Sequence, residues 1–242
     1  MSENVKIEVH ALMHNELLLL PYFIRHYQQF ADIYLYENNS TDGSPEFARL
    51  CGANVIELKT KDEINDLFYL EIKNNCWKKS KADWVIICDV DEFVYHPLIT
   101  NILSHSKYTI YHPQEWIMYS EKFPTTTGQI YDEIKYGVMG LPDKSKMNLF
   151  RPDALQEINY TPGCHSCNPV GDVKICKNTG IKTLHFRYPS FNYRLKRDYY
   201  LASRLSDLNK KHGWGVHFGW DEGTKRKEFE EAMTRLKRVI PL

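Results

Sequence analysis

The sequence lacks an excess of charge of either sign. Lysine and arginine together number 31, and aspartate and glutamate together also number 31. A protein that binds nucleic acid or an acidic membrane surface through its overall electrostatic field carries a clear surplus of basic residues. We therefore expect neither nucleic acid nor an acidic membrane surface to be a partner.

Long hydrophobic runs are also missing. The most apolar stretch covers residues 17–20, and Pro21 and nearby charged residues soon interrupt it. A membrane-spanning helix needs about 20 predominantly apolar residues. The first ten residues, MSENVKIEVH, do not place an apolar stretch after a basic one, as a secretory signal peptide does. We therefore expect neither a transmembrane segment nor a signal peptide.

The sequence has no small disulfide framework. Its six cysteines are scattered along the chain. Without a secretion signal, such cysteines are expected to be reduced thiols in the cytoplasm. We therefore predict a cytoplasmic protein.

The first hundred residues alternate between strand and helix patterns. Strands are predicted over residues 5–13, 32–36, 54–58 and 84–88, and helical spacing of apolar residues lies between them, most clearly over residues 62–79. Such alternation is typical of parallel strands joined by right-handed helical crossovers. The fold class predicted from this pattern is α/β, with a mostly parallel sheet flanked by helices.

The remaining sequence is less regular. The elements predicted there are strands over residues 107–118, 146–150 and 181–188, a loop-rich segment over residues 124–142, and helices over residues 190–211 and 224–239. We predict one domain over residues 1–189 and a helical C-terminal extension of it over residues 190–242.

The run DWVIICDVDEFVY, residues 83–95, is the most informative part of the chain. Its apolar half fits a strand buried on both faces, and it ends at Asp89, Asp91 and Glu92. Crowded carboxylates repel each other unless a cation neutralises them. Asp89 and Asp91 lie on the same side of an extended chain, so their oxygens suit Mg²⁺ or Mn²⁺. A solvated turn at a strand end is the simpler alternative.

Three motifs together resemble glycosyltransferase family two, which has the nucleotide-sugar-binding GT-A fold. They are Asn15-Glu16 after the first strand, ENNSTDGS after the second and DVDEF after the fourth. The match covers residues 5–96 well and the rest loosely, and three weak motifs in this order are fairly specific. One departure is Glu37, where the family usually has aspartate.

The resemblance implies a fold, an activity and a set of site residues. It implies that residues 1–189 are a GT-A catalytic domain, which transfers a sugar from a nucleoside diphosphate, expected to be UDP, to a glycan hydroxyl with inversion. The residues it implies for donor binding are Asn15, Glu16, Glu37, Asn39, Asp42 and Asp89. Without the resemblance, the polar residues of ENNSTDGS would be interpreted simply as residues that form a turn.

The resemblance also implies a metal site. It makes Asp91 the catalytic metal ligand, with Asp89 near the metal or the ribose and His185 as a late histidine ligand of Mn²⁺ or Mg²⁺. A half-buried structural histidine is the alternative for His185. Lys146 and Arg187 are among the basic residues that could meet phosphate, although each is more often a solvated surface charge.

An inverting transfer needs a general base near the acceptor hydroxyl. Glu115 is the candidate we favour, and Asp132, Glu133 and Asp172 are the others. The sequence does not choose between them.

The segment Cys164-His165-Ser166-Cys167, with Cys176 further on, competes with the metal site above. Structural zinc normally takes four ligands, and His165 is poorly placed inside the cysteine pair to be the fourth. We expect no zinc here. We expect instead that the turn at Pro162-Gly163 brings His165 towards the donor.

Two other functions remain open from the sequence. A phosphohydrolase of the haloacid dehalogenase type also has an Asp-x-Asp motif after an apolar strand, with the first aspartate as nucleophile. Against it, DVDEF lacks the expected small hydroxyl residue, no late paired-acid motif follows, and ENNSTDGS is unexplained. A non-catalytic carbohydrate-binding module is the third possibility, and the intact acids at Asp89 and Asp91 argue against it.

Overall fold

The computed structural model describes residues 5–141, 145–177 and 180–241. Its strands are β1 (Ile7–Met13), β2 (Asp32–Glu37), β3 (Asn54–Glu57), β4 (Trp84–Asp89), β5 (Glu92–Tyr95), β6 (Ile110–Tyr111), β7 (Gln114–Tyr119), β8 (Tyr136–Met139), β9 (Leu149–Phe150), β10 (Leu155–Glu157), β11 (Val170–Gly171), β12 (Ile175–Cys176), β13 (Lys182–Tyr188) and β14 (Lys237–Arg238). Its α-helices are α1 (Leu20–Tyr27), α2 (Ser44–Leu50), α3 (Asp66–Asn75), α4 (Ile99–Ser104), α5 (Ile130–Glu133), α6 (Phe191–Ser203), α7 (Asp207–His212) and α8 (Glu222–Met233).

The central sheet has seven strands in the order β12-β6-β9-β4-β1-β2-β3. Strand β1 pairs in parallel with both β2 and β4, and β2 pairs in parallel with β3. The short strand β9 runs antiparallel between β4 and β6. The predicted α/β class, with a mostly parallel sheet flanked by helices, is confirmed.

Strand β4 carries the main sequence signal, and its burial explains its composition. Five of its six residues are buried, and only Asp89 at its end is partly exposed. A central strand covered on both faces needs apolar side chains in both directions, which is why the run is continuous instead of alternating.

A second sheet meets the first at the end of β4. Its order is β14-β8-β7-β13-β5, and β5 begins only two residues after β4 ends. Strand β13 pairs antiparallel with β5, so that His185 lies opposite Glu92, and parallel with β7. This pairing brings residues that are about 70 to 100 positions apart beside the DVDEF turn.

One predicted strand and one predicted loop segment differ in the structure. The single strand predicted over residues 107–118 is two strands, β6 and β7, separated by His112 and Pro113. Proline has no N–H to donate to a sheet, so it interrupts the pattern that apolar alternation suggested. The segment predicted to be loop-rich contains α5 and β8, because β8 pairs with β7.

The predicted helix over residues 190–211 is also two elements. Helix α6 ends at Ser203, and Ser206 caps a separate helix α7 by accepting from the backbone N–H of Asn209. The last helix ends at Met233 instead of continuing to residue 239, and β14 follows it. Since β14 pairs with β8, the C-terminal segment contributes a strand to the second sheet.

Two buried clusters form most of the core. The larger one surrounds the central sheet and contains Phe23, Trp84 and Phe93, and the second contains Trp77, Phe150 and Cys164. No helix in the described part of the chain is long and apolar enough to cross a membrane.

Candidate active site

A cavity of about 770 Å³ lies at the carboxyl ends of β1 and β4. Ligand sites of open α/β sheets lie at this edge. Its walls come from β1, the β4–β5 turn, α3, β7, β13 and α6, and from the loop that carries His165. The cavity therefore joins the two sheets with the C-terminal helices.

Two lysines hold Asp89 on one wall of this cavity. Lys73 Nζ lies 2.6 Å from Asp89 Oδ1, and Lys146 Nζ lies 2.8 Å from Asp89 Oδ2. Lys146 also lies 2.6 Å from Glu92 Oε1, and its side chain is only 10% exposed. The expectation that Lys146 is a solvated surface charge was wrong, and the sequence reasoning missed Lys73.

The electrostatics of these groups favour their charged forms. Burial raises the pKa of Asp89, but Lys146 and Lys73 oppose it and keep that pKa well below its usual range. Burial likewise disfavours a charged Lys146, but Asp89 and Glu92 raise its pKa well above the usual value. Two carboxylates and two ammonium groups thus balance each other beside the cavity.

Asp91, His185 and Glu115 form a chain of contacts on the neighbouring wall. Asp91 Oδ2 lies 3.4 Å from His185 Nε2, and His185 Nδ1 donates to Glu115 Oε1 at 2.8 Å. The backbone N–H of Phe186 donates to the carbonyl of Asp91 at 2.7 Å, which ties the DVDEF turn to β13. The two strands therefore fix both ends of the Asp91–His185 pair.

The acids on both sides of His185 keep it protonated. Burial lowers its pKa, but Asp91 and Glu115 outweigh this and raise it to about 10. Burial also raises the pKa of Asp91, whereas His185 pulls it well below the usual range. Burial raises the pKa of Glu115, but the hydrogen bond and charge of His185, together with the charges of Lys146 and His165, outweigh burial and lower it.

Asp91 and His185 suit a divalent cation. Mn²⁺ accepts carboxylate oxygen together with the nitrogen of a neutral imidazole, and Asp91 Oδ2 and His185 Nε2 lie 3.4 Å apart at the cavity wall. A cation bound there would replace the proton on His185 Nε2. A metal-binding histidine generally donates its other N–H to a carboxylate, as His185 does to Glu115.

A second possible set of metal ligands lies nearby. Ligand atoms of Glu92, Glu115 and His185 all lie within 4.8 Å of one another. Glu92 is only 1% exposed, and its oxygens already meet Lys146 and the backbone N–H of Asp89. We therefore favour Asp91 and His185 as the metal ligands over the set that includes Glu92. Asp89 is not included, because lysines contact both of its oxygens.

Residues of the first two motifs form hydrogen bonds with each other at the carboxyl ends of β1 and β2. The N–H of Thr41 donates to Asn15 Oδ1 at 2.7 Å, the N–H of Leu17 donates to Asp42 Oδ2 at 3.0 Å, and the backbone N–H of Ser40 donates to Glu37. Asn15 and Asn39 adopt positive φ angles, which asparagine tolerates better than most residues.

The predicted donor-binding residues therefore divide into two groups. Glu16, Asp89 and His165 line the cavity, whereas Asn15, Glu37, Asn39 and Asp42 do not. Glu16 pairs with Arg197, and burial raises its pKa to about 7. Cavity residues at this edge that were not predicted to bind the donor are His14, Asn38 and Tyr69. Asn38 lies within ENNSTDGS and His14 directly precedes Asn15-Glu16, whereas the only sequence signal of Tyr69 was its aromatic side chain.

The cysteine segment forms another wall of the cavity. His165 is exposed and lines it, next to Cys164, which is buried. Cys164 and Cys167 belong to the core cluster around Trp77, whereas Cys176 packs against the larger cluster. The three cysteines are thus divided between two packing environments.

Comparison with known proteins gave only distant structural likenesses. No protein-family model matches the chain, and no curated protein matches it. A mycobacterial protein superimposes with a TM-score of 0.47 and 11% identity, covering 85% of this chain and 77% of that one. TarS residues 1–349 of S. aureus superimposes with a TM-score of 0.42 and 12% identity, covering 96% and 71%.

Glucosyl-3-phosphoglycerate synthase from Mycobacterium tuberculosis, solved with Mn²⁺, UDP and glucosyl-3-phosphoglycerate, is also similar. The TM-score is 0.35 and the identity 16%, over 47% of this chain and 44% of that one. At these values the likenesses assign neither a family nor an activity to this chain.

Proposed function

We propose that this protein is a metal-dependent glycosyltransferase with a GT-A fold. Its donor is a UDP-sugar, its acceptor is a glycan hydroxyl, and the transfer inverts the anomeric centre. The observation that carries the proposal is the contact chain Asp91–His185–Glu115 at the wall of a large cavity, beside the lysines held by Asp89. The motif order in the sequence supports the same conclusion.

Asp91 and His185 would hold Mn²⁺ or Mg²⁺, with Glu115 fixing the imidazole from behind. The bound cation would stabilise the charge that builds up on the diphosphate leaving group. Glu115 is thereby a positioning residue in this proposal, because its carboxylate is engaged with His185 and its lowered pKa makes it a weaker base. The general base of the inverting step is left without an assigned residue.

Lys73 and Lys146 have a separate proposed role. Both line the cavity, and Asp89 and Glu92 fix their ammonium groups. We propose that they donate N–H groups to the donor phosphates, and that these fixed donors need no rearrangement during the reaction. The nucleoside would lie towards His14, Asn38 and Tyr69.

Titration with UDP, with and without Mn²⁺, tests this function. Binding should strengthen by at least about tenfold when Mn²⁺ is present, the scale of one well-made charged contact. Asp91→Asn should abolish this enhancement and the transfer while the protein stays folded. Asp153→Asn is the matched control, since Asp153 pairs with Arg151 and lines neither described cavity.

Other outcomes would favour the alternative functions. Near-normal transfer by Asp91→Asn at saturating Mn²⁺ would contradict the metal role. Phosphate release from simple phosphomonoesters, lost in Asp89→Asn, would indicate a phosphohydrolase. The ion pairs of Lys73 and Lys146 with both oxygens of Asp89 stabilise its negative charge and so lower its nucleophilicity.

A further inference from the structure

A second cavity of about 600 Å³ adjoins the first beyond His185. The two cavities share Ile117, Arg187 and His217 in their walls. The second cavity is lined by residues of β7, β13, α6 and α8, whereas His14 and Asn38 line only the first cavity. A molecule in it would reach the reacting centre past the shared residues and not past those predicted to meet the nucleoside.

Arg187, at the junction of the two cavities, has no partner of opposite charge in the part of the chain that the structure describes. It is half-buried, it makes no hydrogen bond or ion pair to any residue that the structure describes, and its Nε is buried without a hydrogen-bond partner. Its guanidinium lies 5.8 Å from the centroid of the Tyr188 ring. Removing a cation partly from water without a partner is unfavourable, so this position favours binding of an anion that the described residues do not supply.

The neighbouring buried charges do not supply that anion. Arg194 lies 2.6 Å and Lys225 lies 2.7 Å from the carboxylate of Asp198, and all three side chains are buried. Together with Arg187 this cluster has three cations and one carboxylate, which is a net charge of +2. Burial and the nearby arginines lower the pKa of His217 to about 4, so it is neutral at pH 7 and adds no charge.

The outer part of the second cavity has a different character. Glu228, Glu231 and Arg235 line it but are exposed, so water and salt screen them. Trp220 is 44% exposed and Tyr119 stacks on Tyr188 at 4.6 Å between ring centroids. Aromatic faces of this kind provide a surface on which a sugar ring can pack.

We propose that the second cavity binds the acceptor, and that the acceptor is an acidic sugar whose carboxylate or phosphate pairs with Arg187. This inference rests on the proposed function for the acceptor role. The planar guanidinium offers two parallel N–H donors that match the geometry of either anion. The sugar hydroxyl would then extend past His217 and Ile117 towards the donor.

Direct titration tests the anion site without any transfer reaction. The ligands are methyl β-glucuronide, glucose 6-phosphate and neutral methyl β-glucoside, with no metal or nucleotide present. At least one acidic ligand should bind about tenfold or more tightly than the neutral one, and Arg187→Gln should remove the preference. Arg151→Gln, which changes a half-buried arginine paired with Asp153 outside both cavities, should keep it.

A second variant separates charge from geometry. Arg187→Lys should keep part of the preference, because the charge remains but the paired donors are lost. Equal binding of acidic and neutral sugars by the unmodified protein, or an unchanged preference in Arg187→Gln, would overturn the proposal.

Mn²⁺-dependent UDP binding distinguishes the acceptor from the donor diphosphate as the anion. The dissociation constant of UDP in the presence of Mn²⁺ should remain within about twofold of the unmodified protein in Arg187→Gln, since no donor contact is lost. A tenfold loss would mean that Arg187 binds the donor, which overturns the acceptor role. If the unmodified protein binds acidic sugars but not UDP, the proposed function fails and the acceptor role with it, while the anion site stands.

Discussion

The carboxylates of Asp89, Asp91 and Glu115 all meet nitrogen atoms of basic side chains at the cavity wall. Asp89 meets two lysines, and Asp91 and Glu115 meet the two ring nitrogens of His185. Each basic group is therefore placed by the acid behind it. Removing one member leaves a buried charge without its partner, which is a larger change than losing a single contact.

Glu115→Gln tests the positioning role at this scale. Because the carboxylate holds His185, its loss should weaken Mn²⁺-dependent UDP binding by about 10- to 100-fold, the usual effect of removing the residue behind a metal ligand. Binding of uridine without metal should not change. Calorimetric titration of both ligands gives the two values.

Glu133→Gln is the matched control for this change, because Glu133 accepts from the backbone N–H of Thr125 and lines neither described cavity. If Glu115→Gln lost transfer while binding Mn²⁺ and UDP normally, Glu115 would act on the acceptor hydroxyl. The general-base prediction would then replace the positioning role.

Helices α6 and α7 show how a local break in an element shapes the site. Helix α6 carries Arg194 and Arg197 at the cavity wall. The chain turns before α7, and Ser206 Oγ accepts from the backbone N–H of Asn209 at 3.2 Å. Asn209 Oδ1 in turn accepts from the N–H of Asp66 at 3.0 Å, which joins α7 to the start of α3.

Ser206→Ala should lower the free energy of unfolding by about 1–2 kcal/mol, because the first turn of α7 loses its cap. Ser203→Ala is the comparison variant, since Ser203 lies at the end of α6 and donates to the carbonyl of Tyr200. Its expected effect is within about 0.5 kcal/mol. Urea unfolding of both proteins measures the difference, and equal stabilities would show that Ser206 is not a significant cap.

The free energy of unfolding of the whole protein should depend on pH through His26. This side chain is 3% exposed and is surrounded by aromatic rings, and burial lowers its pKa to about 4. Val94 accepts from its Nε2, and Tyr131 bonds its Nδ1. Burial raises the pKa of the neighbouring Tyr27, so its phenol is also uncharged below pH 7.

The sign of the effect follows from proton uptake. Between pH 4 and 6.5 the unfolded chain binds a proton at this position and the folded one does not, so stability rises with pH. The contribution of His26 to the free energy of unfolding is fully present above pH 6.5, and it falls by up to about 3 kcal/mol as the pH approaches 4. His26→Gln should flatten this dependence, whereas His105→Gln, at an exposed position, should not. Urea unfolding at a series of pH values gives the slope, and an unchanged slope in His26→Gln would exclude this source.

The first half of the fold could be predicted from the sequence because its signals are local. An apolar run that ends in acids marks β4, and alternating strand and helix patterns predict parallel pairing, since short crossovers leave few topologies open. The second half could not be predicted equally well. Strands β8 and β14 are short, and their pairing partners depend on where β7 lies.

For the site, the sequence by itself determined that acids follow β4 and that His185 ends up in a strand. Only the tertiary structure decided which cation meets which acid. The residues Lys73, Lys146 and Glu115 reach the site from α3, a loop and β7, and no sequence spacing links them to Asp89 or His185. Arg187 and Lys146 look alike in the sequence, but one is paired with two carboxylates and the other with none among the described residues. Charge type is a property of each residue, whereas charge balance depends on neighbours that only folding brings together.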